Sequence, residues 1–134
     1  MQPLSDEQLV QRAWEARRAA CCAYSGFAVG AALEAEDGRV FTGCNVESSS
    51  YGLSCCAERV ALFSALAAGA RSFRRIAVVT EAPRVCPPCG ACRQVLADYA
   101  PAVRVLMANA TQRLDLELAE LYPHGFDQHF LARP

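Results

Sequence analysis

The chain has 134 residues, 53% of them apolar, and 13 basic against 14 acidic residues leave a net charge of −1. That apolar content excludes a segment too polar to fold, and no run reaches the roughly 18 to 20 uninterrupted apolar residues that a membrane-spanning helix needs. A charge so close to zero offers no basic footprint for a nucleic-acid backbone, so neither nucleic acid nor a membrane is expected as a partner.

The length fits a single domain over residues 1–134. Met1 to Leu4 run straight into Ser5, Asp6 and Glu7 without a basic and then apolar leader, and a cytoplasmic location is expected. Ser5 followed by Gln8 is a capping-box pattern, and Leu9, Val10, Ala13, Trp14, Arg17 and Ala20 recur at helical spacing, which predicts a helix over 5–21. Residues 27–34 and 40–46 read as two strands joined at Asp37-Gly38, a hairpin turn signal. CAERVALFSALAA over 56–68 consists of strong helix formers, with Gly69 as its stop. The apolar run IAVVT over 76–80 suits a strand buried on both faces. Pro87-Pro88 breaks the chain before a helical period over 89–100, an apolar strand over 103–107, and a last short helix over 114–122. Strands alternating with helices imply a mixed, partly parallel sheet covered by helices.

Eight cysteines are a heavy load for this length. Disulfide-dense scaffolds are poor in apolar core, so here metal ligands, catalytic groups or small buried hydrophobes are the readings to separate. Cys89 and Cys92 stand two residues apart at a helix start, a spacing at which two thiolates reach one tetrahedral zinc. The helix N-terminus there favours thiolate over thiol. A redox dithiol or two buried cysteines would show the same spacing.

Cys56 is the candidate third ligand, because it opens a helix as Cys56-Ala57-Glu58. Residues two apart in a regular helix point about 200° from one another, so Cys56 and Glu58 share a site only at an irregular first turn. A structural zinc takes four protein ligands, whereas a catalytic one keeps a position for water and commonly has an acid or base nearby. Cys86, three residues before Cys89, leaves open a closed four-cysteine site without activity. Cys21, Cys22, Cys44 and Cys55 are expected to pack as small hydrophobes, and His124 and His129 stand outside every motif.

Cys56-Ala57-Glu58 together with Pro88-Cys89-Gly90-Ala91-Cys92 resembles the zinc nucleoside deaminases, whose pattern is H-x-E or C-x-E followed by P-C-x-x-C. Within that group the chain is similar to the small homotetrameric cytidine deaminases. The blocks YSGFAVGAAL (24–33), GCNVE (43–47), CAERVAL (56–62), PCGACRQV (88–95) and LYPHGF (121–126) recur in order. The resemblance implies a three-layer α/β/α sandwich around a mixed, mostly five-stranded sheet, and one Zn2+ per subunit on Cys56, Cys89 and Cys92. It implies hydrolytic deamination of cytidine and deoxycytidine in pyrimidine salvage, with zinc-bound hydroxide attacking C4 and Glu58 as proton shuttle. Asn45 and Glu47 would hold the ribose hydroxyls, Phe27 would pack beside the nucleoside and Ala57 would offer backbone contacts to the base. Phe126 would reach a neighbouring subunit's site in the homotetramer, with Tyr51 near a subunit boundary.

Three thiolates outweigh a divalent cation, which should make it a poorer activator of water. Arg59, three residues after Cys56 on the same helical face, could donate to the sulfurs and drain that charge, and the resemblance supports the assignment. The chain departs from the family at Ala23, where a proline often stands, and at Ser48-Ser49-Ser50, where less polar residues are usual. A related deaminase of a cytosine nucleoside antibiotic is the competing enzyme, and a zinc-stabilised interaction module is the competing non-enzyme. The GCNVE and late Phe126 blocks favour cytidine.

Overall fold

The computed structural model describes residues 3–131. The capping box forms as the sequence implies: Ser5 Oγ accepts from Gln8 N at 3.1 Å, and Gln8 Oε1 accepts from Ser5 N at 2.8 Å. Helix α1 (Asp6–Arg17) is shorter than expected, because Cys21 leaves it to join the sheet side of the fold. Cys21 N donates to Asn45 O and Cys21 O accepts from Glu47 N, which ties residues 45–47 to the end of the α1 connection.

Strands β1 (Val29–Ala35) and β2 (Val40–Cys44) form the expected hairpin. Helix α2 (Ala57–Ala67) follows, then β3 (Phe73–Thr80), α3 (Gly90–Tyr99) and β4 (Arg104–Ala108). The last expected helix is only half a helix. Arg113–Glu117 is strand β5, and Leu118–Leu121 is the short helix α4. The segment Leu114-Asp115-Leu116-Glu117 alternates apolar and acidic residues, which suits a strand with one covered face. The edge is sealed by Arg104, whose Nη1 bonds Glu117 at 2.8 Å and whose Nη2 bonds Asp115 at 2.7 Å.

The strand order is β2-β1-β3-β4-β5, with β3 and β4 parallel and every other pair antiparallel. Alternation along the central strands divides the core in two. Leu33, Ile76, Val78, Val105 and Met107 face α2 and α3, while Ala32, Ala77, Val79, Leu106 and Ala108 face Leu9 and Ala13 of α1. The three layers follow from that parity. Each fully buried Leu or Ile in these layers contributes roughly 1.5–3 kcal/mol.

A buried ion pair anchors α1 to the sheet. Glu34 on β1 is fully buried and accepts two bonds from Arg75 on β3, at 2.9 and 2.7 Å. Arg75 also bonds Asp6 at 2.6 Å and Leu4 O at 2.6 Å. On the other face, Gly43 lets β2 approach α2 closely: a Cβ there would lie 2.4 Å from Ala57 O. The first turn of α2 is thereby held beside the end of the sheet where β2 and β3 finish and β1 begins. Among the described residues, no helix is long and apolar enough to cross a membrane.

Candidate active site

Two helix N-termini meet at that end of the sheet. Cys56 is the N-cap of α2 and Cys89 the N-cap of α3, both with extended backbone, while Cys92 lies in the first turn of α3. Because Cys56 precedes the helix, the 200° divergence from Glu58 does not arise. The sulfurs of Cys56 and Cys89 are 3.7 Å apart and those of Cys89 and Cys92 3.5 Å, all three falling within 4.8 Å of one another. A tetrahedral zinc with bonds of about 2.3 Å would space its sulfurs by about 3.8 Å. The donor set therefore fits zinc and, among the described residues, leaves one vertex without a protein ligand.

The electrostatics of the cluster favour one thiolate at Cys56. A hydrogen bond from Cys92 holds the Cys56 pKa down to about 5, against the upward push of burial, with Arg59 and Cys89 also donating. The same bond and its own burial raise Cys92. Arg59 Nη2 lies 3.4 Å from the Cys56 sulfur, and that contact holds the guanidinium protonated more firmly than usual. Its Nε is buried without a hydrogen-bond partner among the described residues. Glu58, only 5% exposed, is pushed up to about 7 by desolvation, and the Cys56 charge adds to the effect.

These groups open into a cavity of about 320 Å3 whose walls include Phe27, Asn45, Glu47, Ala57, Glu58 and Cys89. The sheet supplies Val29 and Val78 to its apolar floor. Asn45 is 8% exposed and braces the loop before β1: its Oδ1 accepts from Val29 N at 2.9 Å and its Nδ2 donates to Phe27 O at 2.8 Å. Glu47 Oε1 accepts from Ser25 N at 3.0 Å and Tyr24 N at 3.2 Å, and Oε2 accepts from the Ser25 hydroxyl. Those donors, Ser25 foremost, hold its carboxyl below the usual range.

Five expected site residues, Phe27, Asn45, Glu47, Ala57 and Glu58, thus share one cavity with the thiols of Cys56 and Cys89, whereas Tyr51 and Phe126 do not line it. Tyr51 is 76% exposed and meets Tyr24 edge-on at 6.2 Å, beside a second hollow that shares Ser25, Glu47 and Ser54 with the first. Phe126 is 52% exposed and stacks on Phe130 at 5.6 Å, in a shallow hollow by α4. Cys86 lines the main cavity but stands outside the sulfur cluster, its thiol donating to Pro87 O at 3.6 Å. Cys21 is exposed rather than packed as a small hydrophobe, while Cys22, Cys44 and Cys55 are half-buried. The serines at 48–50 shape their own loop: Ser48 N donates to Ser54 Oγ at 3.0 Å, and Ser50 N to Ser48 Oγ at 3.1 Å. Arg93, which sequence reasoning passed over, ties the cysteine loop to α4 by donating to Pro88 O and Leu121 O, each at 2.8 Å. Its place directly after Cys92 was the only available signal.

Three thiols spaced to hold a metal ion, a buried carboxyl beside them and an apolar cavity in front form an arrangement suited to metal-assisted hydrolysis. Comparison with known proteins narrows the class. Residues 3–109 match the model of the cytidine and deoxycytidylate deaminase zinc-binding region, and the chain belongs to that family. It is 46% identical over 122 residues to a cytidine deaminase of Halalkalibacterium halodurans, covering 90% of this chain and 92% of the relative. A crystal structure of cytidine deaminase from Burkholderia pseudomallei superposes with a TM-score of 0.89 at 47% identity, over 92% of this chain and all of that one. A more distant relative, a blasticidin-S deaminase of Bacillus cereus, is 31% identical over 103 residues, 71% of this chain and 74% of the relative.

Proposed function

We propose that the chain acts as one domain that hydrolyses cytidine and deoxycytidine to uridine and deoxyuridine plus ammonia, a step of pyrimidine salvage. The observation that carries this reading is the burial of Glu58 beside Cys56, Cys89 and Cys92 at the head of a cavity sized for a nucleoside. Cys56, Cys89 and Cys92 would hold one zinc ion, which when bound makes water nucleophilic near neutral pH. Glu58 takes a proton from the water that adds to C4 and gives it to N3. It then passes a proton to the departing amine, so one carboxyl group with freedom to turn serves both transfers. Arg59 draws negative charge from the Cys56 sulfur, which keeps the three-thiolate site able to activate water.

Asn45 and Glu47 receive the ribose hydroxyls, Phe27 packs beside the nucleoside, and the Ala57 backbone meets the base. Tyr51 and Phe126 lie outside the cavity of their own chain, and their exposure supports a homotetramer in which each reaches a neighbour's site. A thiol-ligated site and free cysteines suit a reducing cytoplasm.

The test is chromatography of cytidine incubated with zinc-loaded protein. One ammonia released per uridine formed is expected, and intact cytidine at full zinc occupancy would refute the reading. The 31% identity to a blasticidin-S deaminase supports a second one, a cytosine nucleoside antibiotic as substrate. It would prevail if the antibiotic turned over and cytidine did not. Light scattering of the active species tests the assembly, and an active monomer would refute the tetramer.

A further inference from the structure

The residues assigned to the ribose are held by one serine hydroxyl. The Ser25 hydroxyl donates to Glu47 Oε2 and accepts from Phe27 N at 3.0 Å, so it joins the carboxylate to the backbone of the aromatic wall. The strap around it turns sharply at Gly26, whose φ of 68° favours glycine and whose N donates to Cys22 O at 2.8 Å. Counting lone pairs then limits what a ligand can do. Glu47 Oε1 already accepts from Tyr24 N and Ser25 N, so both of its lone pairs are in use. Among the described residues Glu47 Oε2 accepts its one close bond from Ser25, with the Asn45 amide near enough to steady the carboxylate further, and a position on it stays for a ligand. Asn45 has likewise committed one donor and one acceptor to Phe27 and Val29, leaving one of each.

We infer that Ser25 is a positioning residue for nucleoside recognition: its hydroxyl fixes the Glu47 carboxylate beside Phe27 so that Oε2 accepts a single hydroxyl of the sugar. This rests on the nucleoside reading above and goes beyond it by naming the group that sets the carboxylate's orientation. Without the hydroxyl, Glu47 keeps its two backbone donors on Oε1, but Oε2 is free to swing and Phe27 N loses its acceptor. The loss falls on binding of the sugar, because the bonds of the Ser25 hydroxyl run to Glu47 and Phe27, the residues assigned to the nucleoside rather than to the chemistry.

Ser25 is exposed, so neither removing its hydroxyl nor adding a methyl disturbs a packed interior. The experiment compares zinc-loaded wild type, Ser25→Ala and Ser25→Thr, measuring kcat and KM for cytidine. It also measures the inhibition constant of 2′,3′-dideoxycytidine, which has no secondary sugar hydroxyl for Oε2 to accept. Ser25→Ala is expected to raise KM for cytidine on the order of tenfold, with kcat and the dideoxycytidine constant within about twofold of wild type and with Ser25→Thr restoring KM. Equal weakening of both ligands would mean that the strap has simply collapsed, and it would overturn the inference. An unchanged KM would overturn it as well. If wild type left cytidine intact, the deaminase reading would fail first, whereas a normal wild type with an indifferent Ser25→Ala would sink this inference alone.

Discussion

Gly43→Ala probes how the sheet positions the chemistry. The added Cβ would lie 2.4 Å from Ala57 O, 2.6 Å from Ala61 N and 3.1 Å from Val60 Cβ, where ordinary contact begins at 3.4 Å. Two of these three are backbone atoms of α2, which cannot rotate out of the way. Relief therefore requires the first turn of α2 to retreat from β2 by about 1 Å, and Ala57 sits between Cys56 and Glu58. Overpacking of this kind costs about 1–3 kcal/mol. At roughly 3 °C per kcal/mol for a chain of this size, Tm should fall by roughly 3–10 °C. The same retreat pulls the Cys56 sulfur and the Glu58 carboxyl away from Cys89 and Cys92, and a misplacement near 1 Å costs on the order of 100-fold in kcat/KM. Thermal unfolding, metal content by mass spectrometry and cytidine turnover read the three effects separately. Wild-type Tm together with wild-type turnover would refute the claim that contact at Gly43 sets the position of the α2 N-terminus.

Arg59→Ala should keep its zinc and lose about 10- to 100-fold in kcat, since it removes the donor to the Cys56 sulfur and leaves the ligands in place. Unchanged turnover at full occupancy would contradict this. Glu34→Ala removes two of the bonds to Arg75 and leaves it Asp6 and Leu4 O, so it should cost about 1–3 kcal/mol in urea unfolding, while no measurable loss would show that Arg75 does not depend on the pair. In protein stripped of metal by a chelator, Glu58 is raised from 4.5 to about 7, so the unfolded chain ionises it first. The Glu58 contribution to stability should then fall by ~3 kcal/mol as pH rises from 4.5 to 7, read as the difference between wild type and Glu58→Gln because Cys56, held down to about 5, pulls the total the other way. Parallel pH profiles of the two proteins would refute the desolvation of Glu58. X-ray absorption of the zinc-loaded protein should show three sulfurs and one lighter neighbour, because Cys86 stands outside the cluster. Four sulfurs would turn the account towards a closed structural site.

Much of this fold was legible where local chemistry decides it. The Ser5 and Gln8 caps and the parity of Ile76 to Thr80 each rest on neighbours within a few residues. Residues 114–122 were misread because LDLELAEL satisfies a strand and a helix alike, and only pairing with β4 settles Arg113–Glu117 as β5. The Glu34–Arg75 pair leaves no local trace, since its members lie 41 residues apart on adjacent strands. The thiol cluster was legible from Cys-x-x-Cys and Cys-Ala-Glu, but the means by which Cys56 and Glu58 share a site was not. It required Cys56 to take the extended backbone of an N-cap. Asn45 shows the opposite limit: it was read as a ligand contact, and the structure adds that it also braces the loop carrying Phe27.

The ultraviolet spectrum of cytidine incubated with the zinc-loaded protein, run beside Glu58→Gln at equal zinc occupancy, tests the central claim most directly. Replacing the ring amine by a carbonyl changes the absorption of the base. Loss of the cytidine band with wild type and its persistence with Glu58→Gln is the expected result. An unchanged band with both proteins, or equal loss with both, would contradict the assignment of this site to cytidine deamination through Glu58.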